Sequence, residues 1–113
     1  MENSNKFLGK IVNVVIDRAL GSPHPKFPQM LYEVNYGYVP NTISGDNMEL
    51  DVYVLGVDKP LKTFEGRVIA IIRRNEQDDD KLIVVPDGMN FTDDEIEKAV
   101  SFQEKYFSHK LIR

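Results

Sequence analysis

The chain contains no cysteine. That excludes a disulfide framework, a thiolate metal site and a cysteine nucleophile. No apolar run is long enough to span a bilayer. The leading residues, Met1 to Asn5, are polar and do not read as a secretory signal, so a cytoplasmic protein with no membrane partner is expected. Basic charge is also scarce: 14 Lys and Arg stand against 18 Asp and Glu, for a net charge of -4 and a pI near 5.1. A general nucleic-acid binder needs a basic face, so nucleic acid is not an expected partner. The balance suits a protein that holds cations and meets an anionic substrate through them. Repeats, linkers and low-complexity segments are absent as well. At 113 residues the chain reads as a single domain, 1–113, large enough to bury about two thirds of its unfolded surface.

What is present is strand periodicity punctuated by turns. Lys10 to Asp17 (KIVNVVID) is β-branched and reads as a strand, with Asp17 at its end. Arg18 to Gln29 holds Gly21, Pro23, Pro25 and Pro28, which exclude a helix or central strand and predict an extended loop carrying His24 and Lys26. Met30 to Tyr38 reads as a strand with Tyr32, Val34, Tyr36 and Tyr38 on one side. From Glu49 to Gly56, Leu50, Val52 and Val54 alternate with Asp51, Tyr53 and Leu55. Arg67 to Arg73 is apolar on both faces and reads as a central strand. A charged turn, Arg74 to Asp80, joins it to a strand at Lys81 to Val85, which suggests a hairpin. Thr92 and Glu95 form a capping box. The helix after it is expected from Asp93 to Ser108, with Ile96, Ala99, Val100, Gln103, Tyr106 and Phe107 facing inward. Five short strands and one C-terminal helix fit a mainly β protein built as a small closed or nearly closed barrel.

The stretch from Tyr32 to Asp51 carries the most specific signal. It reads YEVNYGYVPNTISGDNMELD, with ten positions from Tyr36 to Asp46 and five from Asp46 to Asp51. Taken alone, Asp46 and Asp51 are solvated turn residues or ligands for a hard cation. The order NYGYxPNT and then GDxxxLDV resembles the soluble (family I) inorganic pyrophosphatases, from about Val12 to Tyr106. The resemblance implies a five-stranded, OB-like barrel with the C-terminal α-helix packed outside. It also implies magnesium-dependent hydrolysis of pyrophosphate to two phosphates, and a homo-oligomer.

The resemblance carries roles onto individual positions. Asp46 and Asp51 fall on the first and last aspartates of the family's metal signature and stand as catalytic and Mg2+-binding residues. Glu76 and Asp79, with Asp78 as a substitute for the latter, fall on further metal carboxylates. Lys26, Tyr36, Lys81 and Tyr106 fall on groups that contact substrate phosphate, and Asp17 and Tyr32 lie around them. Four positions depart. Met48 stands where the signature has its middle aspartate, and a thioether neither takes a proton nor suits magnesium. Phe107 stands where a lysine is usual. A hairpin that supplies a glutamate and a phosphate-binding arginine is missing between Lys26 and Tyr32, leaving Glu33 and Arg18 as the nearest substitutes. The departures predict reduced or altered activity, or, as the alternative, a catalytically impaired module binding metal and phosphate or a nucleotide diphosphate.

Overall fold

In the computed structural model, residues 4–42, 49–75 and 79–113 are described. A short 3-10 turn, Ser4–Phe7, precedes six strands and one helix. The strands are β1 (Ile11–Arg18), β2 (Asn35–Val39), β3 (Leu50–Val54), β4 (Thr63–Arg74), β5 (Asp80–Val85) and β6 (His109–Ile112); the helix, α1 (Asp93–Glu104), lies between β5 and β6.

The sheet order is β1-β2-β3-β5-β4-β6, and β1 also pairs with β4. The first five strands in that order therefore close into a barrel. Neighbours in it are antiparallel except β3 and β5, which run parallel with Asp51 opposite Lys81. The predicted barrel and its β4–β5 hairpin are thus present. The long β4 changes neighbours along its length: Thr63 to Arg67 pair with β1, and Ile71 to Arg74 pair with β6. A register shift in its pairing with β5 lies between Val68 and Ala70, near that change.

Alternation along the strands sorts side chains into two cores. Val12, Val14, Leu50, Val52, Leu82 and Val84 fill the barrel interior. The opposite faces of β3, β4 and β5 supply Tyr53, Ala70, Ile72, Ile83 and Val85, which pack beneath Ile96, Val100 and Phe102 of α1. The helix lies on the outside of the barrel, and its capping box is formed as predicted: the Glu95 amide donates to the Thr92 hydroxyl, and the Thr92 amide to the Glu95 carboxylate.

The NYGY stretch divides its labour by this alternation. Asn35 and Gly37 are directed inward. The buried Asn35 side chain accepts from the amides of Leu20 (2.9 Å) and Leu61 (3.0 Å) and donates to the carbonyl of Lys59 (2.9 Å). It fastens two loops to β2. A Cβ on Gly37 would lie 1.9 Å from the carbonyl oxygen of Val15, so β1 and β2 meet this closely only over glycine. Tyr36, between them, is left on the outer face, in register with Tyr53.

Several expectations are corrected. The helix ends at Glu104 instead of Ser108, because the chain leaves it to pair His109–Ile112 with β4, adding a sixth strand. Tyr106 consequently lies outside the helix and is 67% exposed instead of facing the core. The predicted strand over Met30 to Tyr38 begins only at Asn35, and the strand predicted from Arg67 begins at Thr63. Residues 21–32 do not form a simple extended loop. The Gly21 amide donates to the Tyr32 carbonyl, the Tyr32 amide to Ser22 and the His24 amide to Met30, and Pro23 bridges to Leu31. The result is a narrow finger with Lys26 and Phe27 at its tip.

Candidate active site

An open cleft of about 1240 Å³ lies on the outer wall of the barrel, between the finger and the end of α1. Its lining includes Asp17, Lys26, Tyr32, Tyr36, Asp51, Lys81 and Tyr106. Seven of the site residues expected from sequence thus meet in one place. Asp79 stands beside them through its contacts with Lys81 and Arg74. The expected metal ligands Asp46 and Glu76, the alternative Asp78, and Met48 lie outside the described residues.

The centre of the cleft is a chain of ionic groups. Lys81, buried on β5, places its Nζ 2.5 Å from an Asp51 oxygen and 3.0 Å from both oxygens of Asp79. The parallel register that sets Lys81 opposite Asp51 makes this contact possible. Arg74 continues the chain. It donates from Nη1 to Asp79 (3.2 Å), and from Nε and Nη2 to the two oxygens of Glu104 (3.1 and 2.6 Å). Glu104 is fully buried and also accepts from the Tyr53 hydroxyl at 2.6 Å. Gln103 donates to that hydroxyl (2.7 Å) and accepts from Tyr32 (3.2 Å). The ring of Phe107 covers the Arg74 guanidinium, its centroid 3.7 Å from Cζ.

Protonation follows from this packing. Burial pushes the Asp51 carboxyl above its ordinary value; Lys81 opposes the shift without overcoming it, and Asp79 adds to it. Burial and the nearby Asp51 charge push the Tyr36 phenol well above its usual range, so it remains a neutral donor. Burial raises Tyr32 too, with Arg18 opposing. Glu104 behaves in the opposite way. Burial would raise it, but the bonds from Arg74 and Tyr53 hold it below the usual carboxylate range. Arg74 in turn is held firmly protonated, its partners outweighing its burial.

Sequence reasoning missed Arg74, Glu104 and Tyr53. The sequence reads Arg74 as the start of a charged turn, yet it ends β4 and is 8% exposed. The one available signal was Gln103, the polar exception in the helix's inward stripe, next to Glu104.

A first-row or alkaline-earth cation would need the carboxylates. Among the described residues, no group of three or more His, Asp or Glu converges in a way that could hold a metal ion. The donor chemistry nonetheless fits a hard cation: Asp51 and Asp79 are carboxylates brought within reach of one ammonium group. Lys26 adds a positive charge whose side chain has no hydrogen bond or ion pair among the described residues.

Fold and site together define a small barrel protein with a mixed-charge cleft on its outer wall. Comparison with known proteins makes the class specific. The profile of the family described as inorganic pyrophosphatase matches residues 10–110. The chain belongs to that family. It is 35% identical over 80 residues to an inorganic pyrophosphatase of Xylella fastidiosa, a match covering 65% of this chain and 40% of that one. It is 38% identical over 77 residues to the inorganic pyrophosphatase of Saccharolobus solfataricus, with 65% and 41% covered. The matches thus span about two fifths of the length of these curated relatives. Among solved structures, an inorganic pyrophosphatase from Ehrlichia chaffeensis superposes with a TM-score of 0.68 over 96% of this chain and 86% of that one, at 20% identity. The Helicobacter pylori enzyme gives 0.64 over 100% and 89%, at 19% identity. Those superpositions speak for the fold. No helix among the described residues is long and apolar enough to cross a membrane.

Proposed function

We propose that the protein is a magnesium-dependent inorganic pyrophosphatase whose cleft hydrolyses diphosphate to two phosphates. The observation that carries this is the triad Asp51–Lys81–Asp79. Two carboxylates and a fixed ammonium group lie within 3.0 Å contacts on the barrel wall, in a cleft also lined by Lys26 and a neutral Tyr36.

Diphosphate hydrolysis requires neutralised phosphate charge, an activated water and a stabilised leaving phosphate. Asp51 and Asp79, with Asp46 and Glu76 from the neighbouring segments, would hold Mg2+. When bound, the metal supplies charge neutralisation and acidifies a water. Lys26 and Lys81 bind and orient the anion. Tyr36 and Tyr106 donate to phosphate oxygens, and the raised Tyr36 phenol keeps its proton for that role. Arg74, clamped by Glu104 and roofed by Phe107, holds Asp79 in place from behind. Asp17 and Tyr32 line the same cleft beyond these groups.

Met48 favours a second reading, in which the cleft binds metal and diphosphate with little turnover. Losing a positioned base costs about 10²–10⁴-fold in rate, and nothing in a thioether replaces it.

Titration calorimetry with imidodiphosphate, a slowly hydrolysed analogue, tests the shared part of both readings. Binding that requires magnesium and is lost in Asp51→Asn supports them. Binding indifferent to magnesium and to that substitution contradicts both. Phosphate release from diphosphate then separates the enzyme from the binding module.

A further inference from the structure

The geometry points to an organic diphosphate monoester, of the nucleoside diphosphate class, as a ligand and substrate of this cleft. The inference rests on the diphosphate reading above and extends it to the rim.

Two unlike surfaces meet in the cleft. One is ionic, formed by Asp51, Lys81 and Arg74 with Lys26. The other is apolar and solvent-facing. Among the exposed large apolar side chains of the described residues, Phe27 (59%) and Leu31 (52%) line this same cleft and have no part in the diphosphate site. Exposed apolar side chains gathered at a concave site mark binding surfaces. Free diphosphate is a compact polyanion with no apolar part. It gives no reason for such a rim.

The finger is also built to hold its tip still. The His24 Nδ1 accepts from the amides of Lys26 (3.0 Å) and Phe27 (3.3 Å). The His24 ring stacks on Tyr32 at 5.9 Å and 4°, and lies 5.3 Å from the Phe27 ring. Tyr32 in turn packs edge-on against Phe102 of α1. A flat aromatic surface is thereby fixed one residue from the Lys26 ammonium group, which has no ion pair among the described residues. That pairing of charge with an aromatic face matches a ligand having a diphosphate at one end and a flat unsaturated ring system at the other.

The reaction balances as a hydrolysis. Water's oxygen bonds to the terminal phosphorus, and the bond from that phosphorus to the bridging oxygen breaks. The bridging electron pair stays on the organic monophosphate. Inorganic phosphate leaves, with one proton released to solvent.

The test compares two probes with the same non-hydrolysable bridge, methylenediphosphonate and α,β-methylene-ADP, in magnesium. Stacking of a base on an aromatic side chain is worth roughly 5- to 150-fold in affinity. The nucleotide probe should therefore bind at least about fivefold tighter. The double variant Phe27→Ser/Leu31→Ser, which leaves the finger's backbone bonds in place, should remove that advantage and spare methylenediphosphonate binding. AMP should also appear from ADP. Equal or weaker binding of the nucleotide probe overturns the inference, as does an advantage that survives the double variant. A wild-type dimer that the variant converts to monomer with the probe ratio unchanged overturns it too, since a second copy then covers the rim. If methylenediphosphonate binds and the nucleotide does not, only this inference fails; if neither binds, the diphosphate reading fails with it.

Discussion

The ammonium group of Lys81 lies 2.5 Å from the carboxylate of Asp51, across a parallel strand pair that places the two residues directly opposite each other. They come from segments thirty positions apart, and Asp79 closes on the same ammonium from the other side. The contact joins an expected phosphate ligand to an expected metal ligand, so each controls the charge seen by the other.

Replacing Lys81 with Gln removes the cation shared by both carboxylates. Charge-assisted hydrogen bonds are worth about 1.5–3 kcal/mol, so diphosphate affinity in magnesium should fall roughly 10- to 100-fold. Calorimetric titration of the variant reads this directly, and unchanged affinity would remove Lys81 from the site.

Arg74 and Glu104 form a deeply buried ion pair, at 2.6 Å. Glu104→Ala leaves the guanidinium unpaired in the protein interior and should cost about 3–5 kcal/mol in urea unfolding. The double change Arg74→Met/Glu104→Leu removes both charges and should recover most of that stability, while leaving Asp79 less well positioned. If the double variant is no more stable than Glu104→Ala, the ion pair is not what the loss measures.

Gly37→Ala tests why the NYGY stretch needs its glycine. The added methyl would meet the Val15 carbonyl oxygen at 1.9 Å, and backbone must shift to admit it. Overpacking of this kind costs about 1–3 kcal/mol, and the melting temperature should drop accordingly. A variant as stable as the parent would show that β1 and β2 separate freely here.

His109 links β6 to the helix, with Nε2 2.8 Å from Glu97 and Nδ1 2.9 Å from the Phe107 carbonyl. Burial would lower its pKa, but the Glu97 and Phe107 contacts outweigh burial and raise it above the ordinary value. A raised histidine pKa gives stability that is full below the unfolded value of about 6.5 and is lost as pH rises through the folded value. Unfolding free energies measured across that window should therefore converge between wild type and His109→Gln at high pH and diverge at low pH. Parallel curves would exclude the pair as a source of pH dependence.

The sequence made some parts of this site plain and hid others for physical reasons. Strand alternation alone sets Asp51 and Tyr53 on one face and Leu50, Val52 and Val54 on the other, and the barrel follows from five such segments. Arg74 and Glu104 were illegible because their pairing is tertiary: one ends a strand beside a charged turn and the other ends a helix. Nothing local distinguishes them from solvated charges. The strand His109–Ile112 is four residues long and follows the helix closely, so its periodicity merges with that of the helix. Tyr106 falls in the helical stripe for the same reason, although it lies beyond the helix and lines the cleft.

Magnesium-dependent hydrolysis of diphosphate by this cleft is open to direct measurement. Phosphate release from diphosphate at millimolar magnesium, compared among wild type, Asp51→Asn and Met48→Asp, tests it most directly. Wild type should show measurable turnover, Asp51→Asn background, and Met48→Asp a gain of about 10²-fold or more, the scale of a restored base. Wild-type release no greater than that of Asp51→Asn, with no gain in Met48→Asp, would contradict it.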